Sequence, residues 1–432
     1  MKKEIRKVAL DIGNNEIKLL VGEMSPSFDK ISVTNYVKVK SRGIRKSTIE
    51  DSEALAESIQ EAIDKIQKID FPIEKLSLAL GGAGVTSTTV NVKISFPEKV
   101  IDQEDINALL VQAKKKIFGG REALYRVLYK EIYNKRVDGP GIVKQPIGMI
   151  AKEIQADVHL VYVEDSYVEK FIEVINKVGV DVDRVYLSSY ASAKGTLDEE
   201  TRKMGVAHVD IGYASTDIIL LKNGKVLYAK TIPLGEMHYI SDMTHTSSLG
   251  LSKEAAEEVL NKFKNKEIEN DNTIKYGAKK ISLRDIRDVI QDRTGDIISF
   301  ITGTIEASGF NGHLAKGIVL TGGTVAIDGV TEQIASRSGY LVRRMLPIEI
   351  KGLEDVYYSD AVAVGIFLED MEREYRAYNE RKLNPILEEE EVEEEEKVEE
   401  NQEFDEDFLE EETEDENESL LKKILRGILD IF

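Results

Sequence analysis

The chain contains no cysteine. Disulfides, thiolate nucleophiles and cysteine-based zinc sites are thereby excluded, and a reducing compartment suits such a chain. Long apolar runs are absent too, since no stretch approaches the roughly 20 apolar residues that a membrane-crossing helix needs. Residues 1–7 carry charge with no apolar run behind them before Asp11, so no signal peptide is expected. The five histidines (His159, His208, His238, His245, His313) are scattered without ligand spacing and suggest no metal site. There is also no surplus of positive charge: Lys+Arg number 58 against 79 Asp+Glu, a formal net charge of −21. The basic face that nucleic-acid binding needs is missing, and no nucleic-acid partner is expected.

What charge there is lies in one place. Residues 388–418 hold 21 acidic residues and one basic residue, Lys397, or −20. Residues 419–432 carry +2, which leaves −3 for residues 1–387. A nearly neutral body of two or three domains is thus followed by a polyanionic run and a short basic end.

The body contains an internal repeat. Val8-Ala-Leu-Asp-Ile-Gly13 is followed by an apolar run at 17–21, and Ala207-His-Val-Asp-Ile-Gly212 by one at 218–221. Each copy reads as strand, tight turn, strand. The two aspartates, Asp11 and Asp210, are 199 positions apart, one domain's length, which indicates duplicated domains. Around the hairpins, patterns predict helices over 52–69, 166–178, 325–337 and 359–374 and strands over 75–80, 183–187 and 316–320. This alternation argues for α/β layers. Residues 85–164 read as a small α+β insertion with a helix at 103–117 and a strand at 156–163. Residues 236–310 read as mostly helical, with a loop around Asn270-Asp271-Asn272 between helices at 253–263 and from about Ser282.

A glycine after a strand lets backbone N–H groups approach a phosphate. An aspartate just before it can hold Mg²⁺ through water. One Asp-Ile-Gly alone is better explained by a plain hairpin turn. Two copies, with the strand-Thr321-Gly322-Gly323-Thr324-helix element, describe a cleft between like domains that grips nucleotide phosphates from both sides.

These hairpins, with Gly317-Ile-Val-Leu-Thr-Gly-Gly-Thr324, resemble the two phosphate loops and the adenosine loop of the actin and sugar-kinase superfamily. Within it, the chain resembles the FtsA family of bacterial cell-division proteins. Ser41-Arg-Gly43, Leu78-Ala-Leu-Gly-Gly82, Ser241-Asp242, Tyr358-Ser-Asp-Ala361 and an amphipathic C-terminus support this. The resemblance covers residues 5–375 and the last fifteen. It implies an actin-like two-domain fold with a duplicated core around a nucleotide cleft and an inserted small subdomain. The corresponding division is 1–84, 165–204 and 359–380 for the first half, with 85–164 inserted, and 205–235 and 311–358 for the second, with 236–310 as its helical subdomain. A disordered acidic linker (381–418) and an amphipathic helix (419–432) follow.

The resemblance also implies site residues. Asp11, Gly13, Asn14 and Lys18 would face ATP phosphates and Mg²⁺ from one half, and Asp210, Gly212, Ser215 and Thr216 from the other, with Asp11 and Asp210 holding Mg²⁺ through water. Gly322 and Gly323 would pass under the adenosine, and Glu257 would face ribose and base. Three positions depart from the family pattern. Gly212-Tyr-Ala-Ser-Thr216 replaces a Gly-Gly-Gly-Thr loop, Leu260 stands where a nucleotide-facing lysine is common, and Asn14 replaces Ser or Thr. Side chains in the second loop restrict how closely backbone approaches an anion, so weak or altered ATP binding with little hydrolysis is expected. No water-activating residue stands out near 188–194.

At the end of the chain, Leu420, Leu421, Ile424, Leu425, Ile428, Leu429, Ile431 and Phe432 fall within about 180° of a helical wheel. Lys422, Lys423, Arg426 and Asp430 take the other side, the pattern of an interfacial anchor for an anionic membrane surface. Docking of this helix back on the body is the alternative, disfavoured by the long charged run between them. Residues 388–418 read as a disordered tether; as a neutral flexible chain it would span roughly 30 Å, and self-repulsion lengthens it. Arg284, Arg287 and Arg293, near Lys279 and Lys280, lie in the subdomain where the family receives the acidic-apolar C-terminal peptide of FtsZ; a plain solvated helix face is the alternative. The reading is an ATP-binding, self-assembling adaptor that ties FtsZ and other division proteins to the cytoplasmic face of the cell membrane at the division site. Its rivals are a PilM-like pilus-assembly adaptor and a sugar-kinase-like phosphotransferase, which would need a carboxylate base that cannot be assigned and leaves the tail unexplained.

Overall fold

The computed structural model describes residues 4–66, 71–82, 84–265, 273–276 and 279–383. The acidic run and the amphipathic tail, with every residue assigned there to membrane binding, lie outside the described residues.

The first half starts with β1 (Ile5–Ile12), β2 (Glu16–Met24) and β3 (Ile31–Lys40), an antiparallel meander in which β2 is buried over nearly its whole length and the edge strand β3 is partly exposed. A small ribbon, β4 (Ile44–Arg45) and β5 (Thr48–Ile49), leads to α1 (Ser52–Lys65). Asp51 caps α1 by accepting from the N–H groups of Glu53 and Ala54, both at 3.0 Å. The helix stops at Lys65, short of the expected 69, because Ile66 is already extended. β6 (Lys75–Leu80) then enters the sheet parallel to β1.

The insertion follows: β7 (Thr86–Val100), α2 (Gln103–Phe118), β8 (Tyr125–Val137) and β9 (Ile150–Glu164). Its three strands form a separate sheet in the order β7-β9-β8, covered by α2 over Val92, Ile106, Leu109, Ile154 and Leu160. β9 begins six residues before the strand expected at 156. α2 carries a capping box, Asp102 and Asp105 each accepting the other's N–H, and ends at Gly119 in the left-handed region.

The chain returns through α3 (Asp165–Lys177), β10 (Asp181–Leu187) and α4 (Ser188–Thr196), completing a sheet ordered β10-β6-β1-β2-β3. After α5 (Glu199–Met204), the second half repeats this plan with β11 (Val206–Ile211), β12 (Thr216–Lys222) and β13 (Lys225–Ile232). Next come α6 (Glu236–His245), α7 (Lys253–Lys264), β14 (Thr273–Tyr276), β15 (Lys279–Ser282) and α8 (Leu283–Ala307). β16 (Ile318–Thr321), α9 (Val330–Ser338) and β17 (Val342–Arg344) complete a sheet ordered β13-β12-β11-β16-β17. Strand for strand, order and direction match the first sheet: antiparallel on the hairpin side, parallel on the other. The duplication legible in two short motifs therefore extends over both sheets.

Two expectations change in the second half. The single helix expected over 325–337 is a 3₁₀ turn at Gly323–Ala326 followed by α9, because Gly329, at φ +85°, turns the chain between them. The stretch before α8 was expected as loop, whereas β14 and β15 pair as a hairpin through Thr273 and Ser282.

The last helix, α10 (Ala361–Leu383), runs back under the first sheet and overlaps the first three residues, 381–383, of the expected linker. Its apolar face buries Phe367, Ile366 and Met371 against Leu20, Met24 and Ala9. α10 crosses α4 with backbone against backbone. A methyl group on Gly365 would collide with the Ala191 carbonyl oxygen, and one on Gly195 with the Ala361 carbonyl. Beside the crossing, Lys194 is buried between Glu369 (3.3 Å) and Glu372, and Arg376 bonds Glu369 at 3.0 Å. Gly365→Ala is expected to lower the free energy of unfolding by about 3 kcal/mol or more, because neither backbone can retreat from a packed crossing. Urea unfolding of the full chain measures it, and a loss below about 1 kcal/mol would contradict so tight a crossing.

Candidate functional site

The two β-hairpins turn alike. Gly13 N–H donates to the Glu16 carbonyl at 3.0 Å, and Gly212 N–H donates to the Ser215 carbonyl at 2.9 Å. In each hairpin the aspartate faces the residue seven positions later across the strand pair: Asp11 faces Lys18, and Asp210 faces Asp217. The duplicated backbone thus carries an unlike pair of charges in one half and a like pair in the other.

In the first half the pair closes on itself. Lys18 Nζ bonds Asp11 Oδ2 at 2.9 Å, and both side chains are buried. Burial disfavours the Lys18 ammonium, but Asp11, and behind it Asp360 and Glu16, outweigh that and raise its pKa. In the second half no cation pairs directly with the carboxylates among the described residues, and Lys18 acts on Asp210 only from a distance. Asp210 Oδ2 accepts from Ser192 Oγ of α4 at 2.6 Å, and Asp217 Oδ1 from Thr231 Oγ1 at 2.5 Å. Burial, with the neighbouring Asp217 and Asp11, lifts Asp210 to about 7. Burial and Asp11 lift Asp217 to about 6. Asp217 also spans the cleft, since a methyl group on Gly81 at the end of β6 would stand 3.1 Å from its Oδ2.

The third element crosses the end of β11. Gly322 has φ +91°, and its Cα packs on Asp210 and the Ile211 carbonyl so closely that no side chain fits. Its N–H donates to the Tyr358 carbonyl at 3.1 Å, and Thr324 Oγ1 donates to the Gly212 carbonyl at 3.0 Å. This loop is therefore tied to both the second hairpin turn and the segment before α10. The Cα of Gly323 is open, with nothing nearer to an added methyl than Glu236 Oε2 and Ser359 Cβ at 3.8 Å.

The other expected residues divide. The Asn14 side chain holds the β4–β5 turn, accepting the Ser47 N–H at 2.8 Å and donating to Ser47 Oγ at 3.3 Å. Thr216 is fully buried and donates its hydroxyl to the Leu234 carbonyl at 2.8 Å, behind the turn. Ser215 contributes its carbonyl to the turn itself. Glu257 stands on α7, 3.8 Å from Lys253 of the same helix, and lies near the Tyr213 hydroxyl, whose pKa burial and this carboxylate push up to about 12. Leu260 is in the core of the second half. One helical turn later, Lys264 pairs with the buried Glu236 at 2.5 Å, beside Gly323. Asp217, Ser192, Glu236 and Lys264 escape the sequence reading. Asp217 alone had a visible signal, the seven-residue spacing it shares with Asp11 and Lys18.

At the partner face, Arg293 forks onto both oxygens of Asp242 on α6, at 2.7 and 2.9 Å, and reaches Asp296 at 2.9 Å. It braces α6 to α8. Arg284 and Arg287 are exposed on α8, and Arg284 has only a 4.0 Å pairing with Asp288.

Among the described residues, no group of three or more His, Asp or Glu closes into a metal cage, and no helix is long and apolar enough to cross a membrane. The donor set nonetheless suits Mg²⁺, which takes one or two carboxylates and fills its shell with water and phosphate oxygens. Two buried, uncompensated carboxylates beside two glycine turns provide such ligands.

Two family profiles match in tandem: the SHS2 domain inserted in FtsA over residues 82–162, and Cell division protein FtsA over residues 207–366. Cell division protein FtsA of Borreliella burgdorferi is 26% identical over 386 residues, covering 87% of this chain and 92% of that protein. The Escherichia coli K12 protein of the same name is 26% identical over 376 residues, covering 83% and 89%. Among solved structures, the PilM-PilN type IV pilus biogenesis complex superposes with a TM-score of 0.62 at 15% identity, covering 86% of this chain and 100% of that one. MreB 5 of Spiroplasma citri bound to AMPPNP superposes with a TM-score of 0.53 at 13% identity, covering 88% and 99%. These low identities carry the fold and no more. With both profiles naming one family and curated relatives aligned over most of their length, the chain belongs to the FtsA family of cell-division proteins and has an actin-like fold with the family's inserted domain.

Proposed function

We propose that this protein is an ATP-binding adaptor that assembles on the membrane at the division site and recruits FtsZ. The observation that supports the reading is the meeting of the two hairpins and the third loop: Asp11 of the first hairpin acts electrostatically on Asp210 and Asp217 of the second, and Gly322 presses the third loop onto Asp210. Asp210 and Asp217 would hold Mg²⁺, whose charge would stabilise the polyphosphate; Lys18 stays on Asp11 and orients it. The nucleotide acts as a conformational ligand through its greater affinity for the assembling form. Neither Asn14 nor Thr216 has its side chain free to reach a phosphate, which supports weak binding and slow turnover. MreB 5 of Spiroplasma citri, which shares the fold, was solved with AMPPNP bound, which supports a nucleotide in this cleft.

The outer parts of the reading rest on the sequence. The amphipathic segment 419–432 is the anchor, 388–418 the tether, and the exposed Arg284 and Arg287 the positive surface for the FtsZ C-terminal peptide. Arg293 supports that surface from below through Asp242.

Four outcomes are expected. Folding raises the pKa values of Asp210 and Asp217, so the folded chain holds more protons than the unfolded one between about pH 4 and about pH 7, and stability falls as pH rises through that window. In chelator, the thermal midpoint should drop from about pH 5.5 to about pH 8, less so in Asp210→Asn, with Mg²⁺ and ATP restoring the wild type alone. Calorimetry should give an ATP Kd on the order of micromolar or weaker, and nanomolar affinity with steady phosphate release would overturn the reading. Phe432→Glu or Leu425→Glu should abolish co-sedimentation with anionic vesicles; retained binding refutes the anchor. Arg287→Glu should weaken binding of the FtsZ peptide about tenfold, and unchanged affinity would remove that residue from the partner surface.

A further inference from the structure

The inserted layer belongs by connectivity to the first half, yet it rests on the second. Ser87 Oγ on β7 accepts the N–H of Ala229 on β13 at 3.1 Å, and Glu131 Oε1 on β8 accepts from Lys225 Nζ at 2.8 Å. β13 is the edge strand of its sheet, and an uncovered edge leaves backbone donors unpaired. The contact is backed by His159, whose ring spans Ser87 Oγ (3.2 Å) and Thr89 Oγ1 (2.9 Å). Burial lowers its pKa to about 4, so it stays neutral at physiological pH and donates from one nitrogen only.

The same carboxylate leads inward. Glu131 Oε2 accepts from the Tyr129 hydroxyl at 3.1 Å, and the Tyr129 ring packs on Tyr190 with centroids 5.0 Å apart. Tyr190 lies on α4, and its hydroxyl donates to Glu369 of α10 at 3.3 Å. Two residues further along α4, Ser192 donates to Asp210 at 2.6 Å. One turn of α4 thus touches the cleft carboxylate at one point and the insertion at another. Packed against α10 through Gly195 and Gly365, α4 cannot bend between these points and responds as a body.

We propose that the insertion is a ligand-sensing arm: occupancy of the cleft shifts α4 through Ser192, and α4 resets the seat of residues 85–164 on β13 through Tyr190 and Tyr129. The driving competition is chemical. A divalent cation engaging Asp210 draws on the oxygen that Ser192 now holds, so the two arrangements of α4 differ in their affinity for the ligand. Tyr129 and Tyr190 are positioning residues and touch no ligand. The inference rests on the reading of the cleft as an ATP and Mg²⁺ site.

Hydrogen exchange of the full chain, with and without saturating Mg²⁺ and ATP, tests it beside a calorimetric ATP titration of each variant. In the wild type, amides of residues 86–90, 125–133 and 225–232 are expected to change exchange rate several-fold on binding. Tyr129→Leu should bind ATP within about twofold of the wild type while losing that response, and Tyr129→Phe, which keeps the ring, should retain part of it. Should Tyr129→Leu fail to fold, Lys225→Met cuts the same chain at its half-exposed end, and the same loss is expected. Bound ATP with no change in the insertion, or an undiminished response in the leucine or methionine variant, overturns the arm alone. No ATP binding by the wild type overturns the cleft reading and the arm with it.

Discussion

The crossing of α4 and α10 sets the distance between everything else. Both helices place glycine at the contact, so their backbones meet directly, and a buried cluster of Lys194, Glu369, Glu372 and Arg376 holds them in one register. Buried charges are costly unless paired, which makes the cluster specific for a single arrangement of the two helices. α4 follows the last strand of the first sheet and leads toward the second, while α10 returns from the second half to lie under the first sheet. The separation of the hairpin turns, and the reach of Ser192 to Asp210 and of Asp217 to Gly81, depend on that crossing.

On this frame the two halves repeat in backbone and differ in charge. Asp11 faces Lys18, which neutralises it, whereas Asp210 faces Asp217 and is met by a hydroxyl only. Two buried carboxylates with only hydroxyl donors hold their protons close to neutral pH. In the proposed reading, this asymmetry makes Asp210 and Asp217, rather than the expected Asp11 and Asp210, the carboxylates that would hold a cation, because Lys18 already pairs with Asp11. The insertion, joined to one half and bonded to the other, lies where any relative movement of the halves would be felt.

Much of this was legible in the chain. The paired Asp-Ile-Gly motifs marked the duplication, because a strand that turns on glycine leaves a local pattern of apolar alternation and a break. The insertion at 85–164 was visible in its change of texture. The hairpin of β14 and β15 was not, because each strand has only four residues, too few to show a period. The break at Gly329 was missed because the apolar pattern continues on both sides of it. Among the expected site residues, Lys18 pairs with Asp11, both act on Asp210, Gly322 packs on Asp210, and the same loop bonds Gly212 through Thr324. Asn14 and Thr216 belong to the same turns, but their side chains are spent on Ser47 and Leu234.

The sequence by itself determined the duplicated α/β plan, the location of the negative charge in one C-terminal segment, and the glycines at which the chain turns. These are local properties, readable wherever period, composition or backbone freedom is at issue. Only the tertiary structure decided which charges meet. Ser192 reaches Asp210 across 18 positions, Glu131 reaches Lys225 across 94, and Lys194 reaches Glu372 across 178. A side chain's partner, and with it whether a carboxylate is neutralised, poised for a cation or used as a brace, depends on burial and proximity that no stretch of sequence carries within itself.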